Sequence, residues 1–97
     1  MPAYLIVFRE GPVRDQAEMD EYQRQTRQMK GADFKLQPLV AYGALHALEG
    51  APPDAVIMLQ FPTVEDAKAW YQSPAYQAAL PHRLKSADFR AVIVEGL

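Results

Sequence analysis

Three runs of the chain, Ala3 to Arg9 (AYLIVFR), Ala55 to Phe61 (AVIMLQF) and Arg90 to Glu95 (RAVIVE), have the β-branched and aromatic content of strands but do not alternate apolar with polar residues. An antiparallel sheet with one wet face should alternate, because successive side chains point to opposite sides. Here Tyr4, Ile6 and Phe8 oppose Leu5 and Val7; Val56 and Met58 oppose Ile57, Leu59 and Phe61; Val92 and Val94 oppose Ile93. Both faces of the sheet are therefore apolar, and each needs a cover.

The intervening segments supply one cover. Arg14 to Lys30 contains neither Gly nor Pro, and Met19, Tyr22, Thr26 and Met29 recur at helical spacing. Acidic residues crowd its start and Arg24, Arg27 and Lys30 its end, which suits the helix dipole, and Gly31 follows as a stop. Thr63 with Asp66 three residues later forms a short-armed capping box for a second helix reaching about Gln72. Ser73-Pro74 restarts that helix, and Pro81 predicts a break before a short turn through Lys85. The stretch from Phe34 to Glu49 predicts a broken edge strand, with Pro38 lacking a ladder donor and a bulge near Gly43.

The order strand, helix, strand, strand, helix, strand predicts an α+β fold: a ferredoxin-like βαββαβ unit with a four-stranded antiparallel sheet in the order four, one, three, two. Two helices can cover only one face of such a sheet. The other face would exceed the few hundred Å² of apolar patch that soluble monomers normally show. A homodimer packing these second faces together is the expected solution.

Composition agrees and narrows the partners. Ninety-seven residues fit a single domain over 1–97 with a thin core, since a chain of this size buries only roughly 60–65% of its unfolded surface. Ten Lys plus Arg against twelve Asp plus Glu, without a run of either sign, leaves no footprint for nucleic acid or an anionic membrane. There is no cysteine, hence no thiolate nucleophile or Cys-based zinc site. The apolar stretch that ends at Arg9 is too short for a signal sequence or a membrane span, and a cytoplasmic location is expected.

The opening MPAYLIVF, the segment LEGAPPDAVIMLQFPTVEDAKAWYQSPAYQ from Leu48 to Gln77, and the ending ADFRAVIVEGL closely resemble the domain of unknown function 1330 family. Phe61-Pro62 and Trp70-Tyr71-x-Ser73-Pro74-x-Tyr76 are the most specific elements of the match. Between Gly31 and Leu48 the chain is longer than the commoner family pattern. The resemblance implies a dimeric α/β barrel, two four-stranded sheets enclosed by helices, and supplies no reaction. Relatives in that superfamily include cofactor-independent monooxygenases, lactone isomerases and haem enzymes, an analogy at the level of fold alone.

Candidate functional residues fall into three groups. Arg9, Glu10, His46, Glu49, Asp54, Asp88 and Arg90 should gather at one end of the sheet, either as a site or simply because strand ends meet water. His82-Arg83 offers a base near neutral pH and a cation, with Asp88 to orient the imidazole and Arg83 or Arg90 to hold negative charge; bonding of helix-end carbonyls is the competing role. By resemblance, relatives with the longer middle segment carry a similar His-Arg followed by Asp-aromatic-Arg, here Asp88-Phe89-Arg90. Tyr42, Trp70 and Tyr76 combine contact area with a polar tip suited to a small organic ligand, while core packing competes for the same rings.

Neither His lies in an HxH or HExxH pattern, and no Gly-rich phosphate loop or GxSxG elbow is present. No metal and no cofactor are expected. The function these residues suggest is binding of a small, partly apolar organic molecule between sheet and helices. If catalytic, the chemistry would be cofactor-free proton transfer of an isomerase- or hydrolase-like kind. The alternative is a non-catalytic ligand-binding or assembly module.

Overall fold

In the computed structural model, residues 1–29 and 34–97 are described. The elements run β1 (Ala3–Arg9), α1 (Gln16–Arg27), β2 (Gln37–Ala41), β3 (Ala55–Phe61), α2 (Val64–Gln72), α3 (Pro74–Ser86) and β4 (Phe89–Glu95). The sheet order is β2-β3-β1-β4 with every neighbouring pair antiparallel, as the sequence predicts. The helix-stop role of Gly31, and the predicted helix end at Lys30, lie outside the described residues.

Helix ends follow local chemistry. Asp15 caps α1, its carboxylate accepting the Glu18 N–H at 3.2 Å. Thr63 caps α2 by accepting the Asp66 N–H at 3.1 Å. Thr63→Ala is expected to cost about 1 kcal/mol, read as a lower urea midpoint at unchanged slope. Ser73 closes α2 and opens α3: its hydroxyl donates to the Trp70 carbonyl at 2.7 Å and accepts the Tyr76 N–H at 3.3 Å.

Two local expectations are corrected. Helix α3 does not break at Pro81 but runs on to Ser86. Pro81 and Gln77 both lie on the exposed side, so the Gln77 carbonyl that proline leaves without an amide can meet water. On the opposite side Tyr76, Ala79, Arg83 and Ser86 are buried and hold the helix in place. Pro81→Ala should therefore raise stability by about 1–2 kcal/mol, a gain that calorimetry would show as a higher Tm.

The edge strand is also shorter than the Phe34 to Glu49 stretch, and its irregularity lies between Pro38 and Val40 rather than near Gly43. Pro38 faces Leu59 in the ladder, and the next pair is Val40 with Met58, which leaves Leu39 as the extra residue. Tyr42 then takes a left-handed conformation, φ 59°, and turns the chain out of the sheet.

The two sheet faces differ in their cover. Leu5, Val7, Phe61, Ala67, Trp70 and Tyr76 form the core cluster beneath the helices, with Ile57, Leu59 and Ile93 packed against it. On the opposite face Tyr4 pairs across from Val94, and Ile6 sits between Met58 and Val92. Val92 and Val94 remain 50% and 47% exposed. The segment from Leu45 to Pro53 borders this face, sharing a hollow with Phe8 and Val56.

Candidate functional site

The stripe on α1 does two jobs. Met19 is buried in the core, whereas Tyr22 and Thr26, together with Met29 just past the helix end, turn towards a cleft of about 520 Å³. Ile57 and Leu59 of β3 form its floor, Leu36 and Tyr42 flank it from either side of β2, and Trp70 reaches it from α2. Gln23 and Arg27 bring the remaining polar groups of α1 to the wall. The volume suits a small organic molecule, and the walls are mainly apolar with few polar points.

The most defined polar point is a pair of phenols. The Tyr22 and Tyr76 hydroxyls lie 2.9 Å apart, with the rings edge to face at 6.1 Å between centroids. Tyr76 is fixed from behind by Trp70 and Tyr71, at 4.3 and 5.3 Å between centroids. Of the two hydroxyl protons, one is spent in the mutual bond and one stays free for another acceptor.

Burial pushes the Tyr22 phenol far above its ordinary value, with Tyr76 adding to the rise and the nearby Arg83 charge opposing it. The Tyr76 phenol is likewise raised, first by burial, and Arg83 is again the principal opposing influence. Both rings thus stay neutral in the folded protein where an unfolded chain begins to ionise. Because the unfolded state gives up these protons first, stability is full below pH 10.0 and falls as pH rises beyond it. Absorbance at 295 nm should accordingly show two fewer tyrosines titrating near the ordinary phenol value in the folded protein than in urea.

The other candidates are dispersed. His82 bonds through Nδ1 to the Glu18 carboxylate, on the seam between α3 and α1, and neither residue lines the cleft. This corrects the expected orientation by Asp88. Asp88 instead accepts from Arg14 at 2.9 Å, while Arg14 also donates to the Leu84 carbonyl at 2.8 Å. The register of α1 against α3 decides this pairing, and no spacing within one helix encodes it.

Arg83, one residue on, is 4% exposed and lies over the Phe89 ring at 5.0 Å. Arg90 projects to the opposite sheet face, donating to Glu10 at 2.7 Å and lying 5.5 Å from the Phe8 ring centre. The strand ends do converge: the Glu10 amide donates to the Asp88 carbonyl at 2.8 Å and the Asp54 amide to the Arg9 carbonyl at 2.7 Å. The Arg9 side chain is taken by the Gly11 carbonyl at 3.0 Å. His46 and Glu49 line a second, shallower hollow of about 410 Å³ beside Phe8 and Val56. Of the named ligand candidates, Tyr42 and Trp70 line the main cleft and Tyr76 stands directly behind Tyr22.

The family model for the domain of unknown function DUF1330 matches residues 2–97. The chain belongs to the DUF1330 family. A comparison with curated proteins finds no match. Among solved structures, a dimeric ferredoxin-like protein of unknown function from Jannaschia sp. CCS1 is similar with a TM-score of 0.72 at 13% identity, over 99% of this chain and 100% of that one. A protein of unknown function from Rhodopseudomonas palustris aligns at TM-score 0.70 and 17% identity, covering 99% and 82%. An ethyl tert-butyl ether d family protein from Bacillus halodurans aligns at 0.63 and 16%, covering both chains completely at 100%. At these identities the likeness shows the fold. No helix among the described residues of this DUF1330 protein is long and apolar enough to cross a membrane.

Proposed function

We propose that this DUF1330 protein is a homodimer that binds a small, partly apolar organic molecule in the cleft between α1 and the helix-covered face of the sheet. The observation that carries this reading is the cleft itself: about 520 Å³, walled by Met29, Leu36, Ile57, Leu59 and Trp70, with the Tyr22–Tyr76 phenol pair as its directional donor. Tyr42 adds support, because a left-handed tyrosine at φ 59° on the rim costs about 1 kcal/mol and persists only where the surroundings enforce it. The bare apolar face, and the dimeric state of the similar Jannaschia protein, favour a second copy packed on the other side of the sheet.

Among the described residues lining the cleft there is no imidazole and no carboxylate, which favours binding over general-base turnover. Proton transfer of an isomerase- or hydrolase-like kind would use the Tyr22 hydroxyl as donor, with Tyr76 holding it in place.

Trp70 is the sole tryptophan and faces the cleft, so its fluorescence reports occupancy directly. Titration with a small aromatic probe such as benzamide is expected to change Trp70 emission saturably, and Thr26→Phe, which puts a ring into the cleft, is expected to weaken that response at least tenfold. A saturable response of equal strength in Thr26→Phe would place the ligand elsewhere.

A further inference from the structure

We infer that the cleft selects an anionic ligand, a carboxylate or enolate whose oxygen accepts from the Tyr22 hydroxyl and gains from the charge of Arg83 behind the phenol pair. The inference rests on the cleft reading above. Its starting point is a buried cation with no counter-charge among the described residues. A guanidinium remains protonated in a protein whatever its surroundings, and it carries five N–H donors. Arg83 is 4% exposed, and its Nε is buried without a hydrogen-bond partner. None of the ion pairs among the described residues involves it.

Four acidic groups on α1, at its start and just after α3 have other partners. Glu18 is bonded to His82, Asp15 caps α1, Asp88 is paired with Arg14, and Glu21 with Arg24. The Phe89 face at 5.0 Å offers quadrupole attraction to the guanidinium but accepts none of its N–H bonds in the plane. A buried charge left in this state is unfavourable unless an anion completes it.

Tyr22 and Tyr76 connect this cation to the cleft. Tyr22 lines the cleft, its hydroxyl bonds Tyr76 at 2.9 Å, and the pair has one proton left to donate. Tyr76 and Arg83 share the buried side of α3, and the Arg83 charge opposes the burial-driven rise of both phenols. A ligand oxygen accepting from Tyr22 would feel the same charge and gain from being negative. Arg27, on the same helix as Tyr22 but exposed, supplies no comparable buried field.

The test compares benzoate with its neutral isostere benzamide by Trp70 fluorescence, in the wild type and in Arg83→Met. The expected result is a preference for benzoate of at least tenfold in the wild type that disappears in Arg83→Met. Equal binding of both probes by the wild type would overturn the inference and leave the cleft standing. A preference that survives in Arg83→Met would overturn it as well, since another group would then be its source. Failure of both probes to bind would remove the cleft reading and this inference with it. Should Arg83→Met not fold, Arg83→Lys decides: it keeps the charge but not the forked donor, and is expected to retain the preference while weakening benzoate several-fold. Unchanged benzoate affinity in Arg83→Lys would count against Arg83.

Discussion

Ile6→Glu is expected to turn the protein into a monomer in analytical ultracentrifugation while leaving its circular dichroism unchanged. Ile6 is central to the uncovered face, between Met58 on one neighbouring strand and Val92 on the other. In a two-fold dimer each substitution acts twice. Each loses the burial of an isoleucine side chain, about 1.5–3 kcal/mol, before the cost of a carboxylate facing apolar surface is counted. A total above about 4 kcal/mol corresponds to a thousandfold or greater rise in the dimer dissociation constant. The fold itself should tolerate the change, because the same face is open to water in the isolated chain.

Phe61→Ala is expected to have the opposite profile, unfolding the chain rather than dividing the dimer. Phe61 is 0% exposed, beneath Trp70 with 5.9 Å between ring centroids. Removing a fully buried phenylalanine costs about 3–5 kcal/mol through lost burial and the cavity left behind. For a domain of this size that is a large share of the whole stability, about 5–15 kcal/mol in ordinary proteins. The urea midpoint should fall sharply, and Trp70 emission should shift because its neighbour is gone. Tyr22→Phe, which deletes one hydroxyl and keeps the ring, should cost only about 1 kcal/mol by the same measurement.

The contrast between these substitutions follows from a pattern legible in the sequence. Apolar residues at successive positions of Ala3–Arg9 and Ala55–Phe61 require a sheet with two covered faces, and the structure shows helices over Leu5, Val7 and Phe61 and, among the described residues, none over Tyr4, Ile6 and Phe8. The caps at Thr63 and Ser73 were equally legible, because their bonds span only three residues. Pro81 was not: whether a proline ends a helix depends on which side of it meets water, and that is decided by the packing of Tyr76, Ala79 and Arg83.

The candidate site was legible in part. Its aromatic members Tyr42, Trp70 and Tyr76 could be named from residue chemistry, yet Tyr22, which pairs with Tyr76, looked like one more member of the α1 stripe. Contacts between residues 54 and 64 positions apart, as in Tyr22–Tyr76 and Glu18–His82, arise from the tertiary register of α1 against α3. That register also left Arg83 buried while His82 and Asp88 found separate partners.

Native mass spectrometry of the purified wild type, titrated with benzoate, tests the central claim most directly. The expected spectrum is a dimer that takes up two benzoates, one for each cleft. A monomer, or a dimer that takes up none, would contradict it.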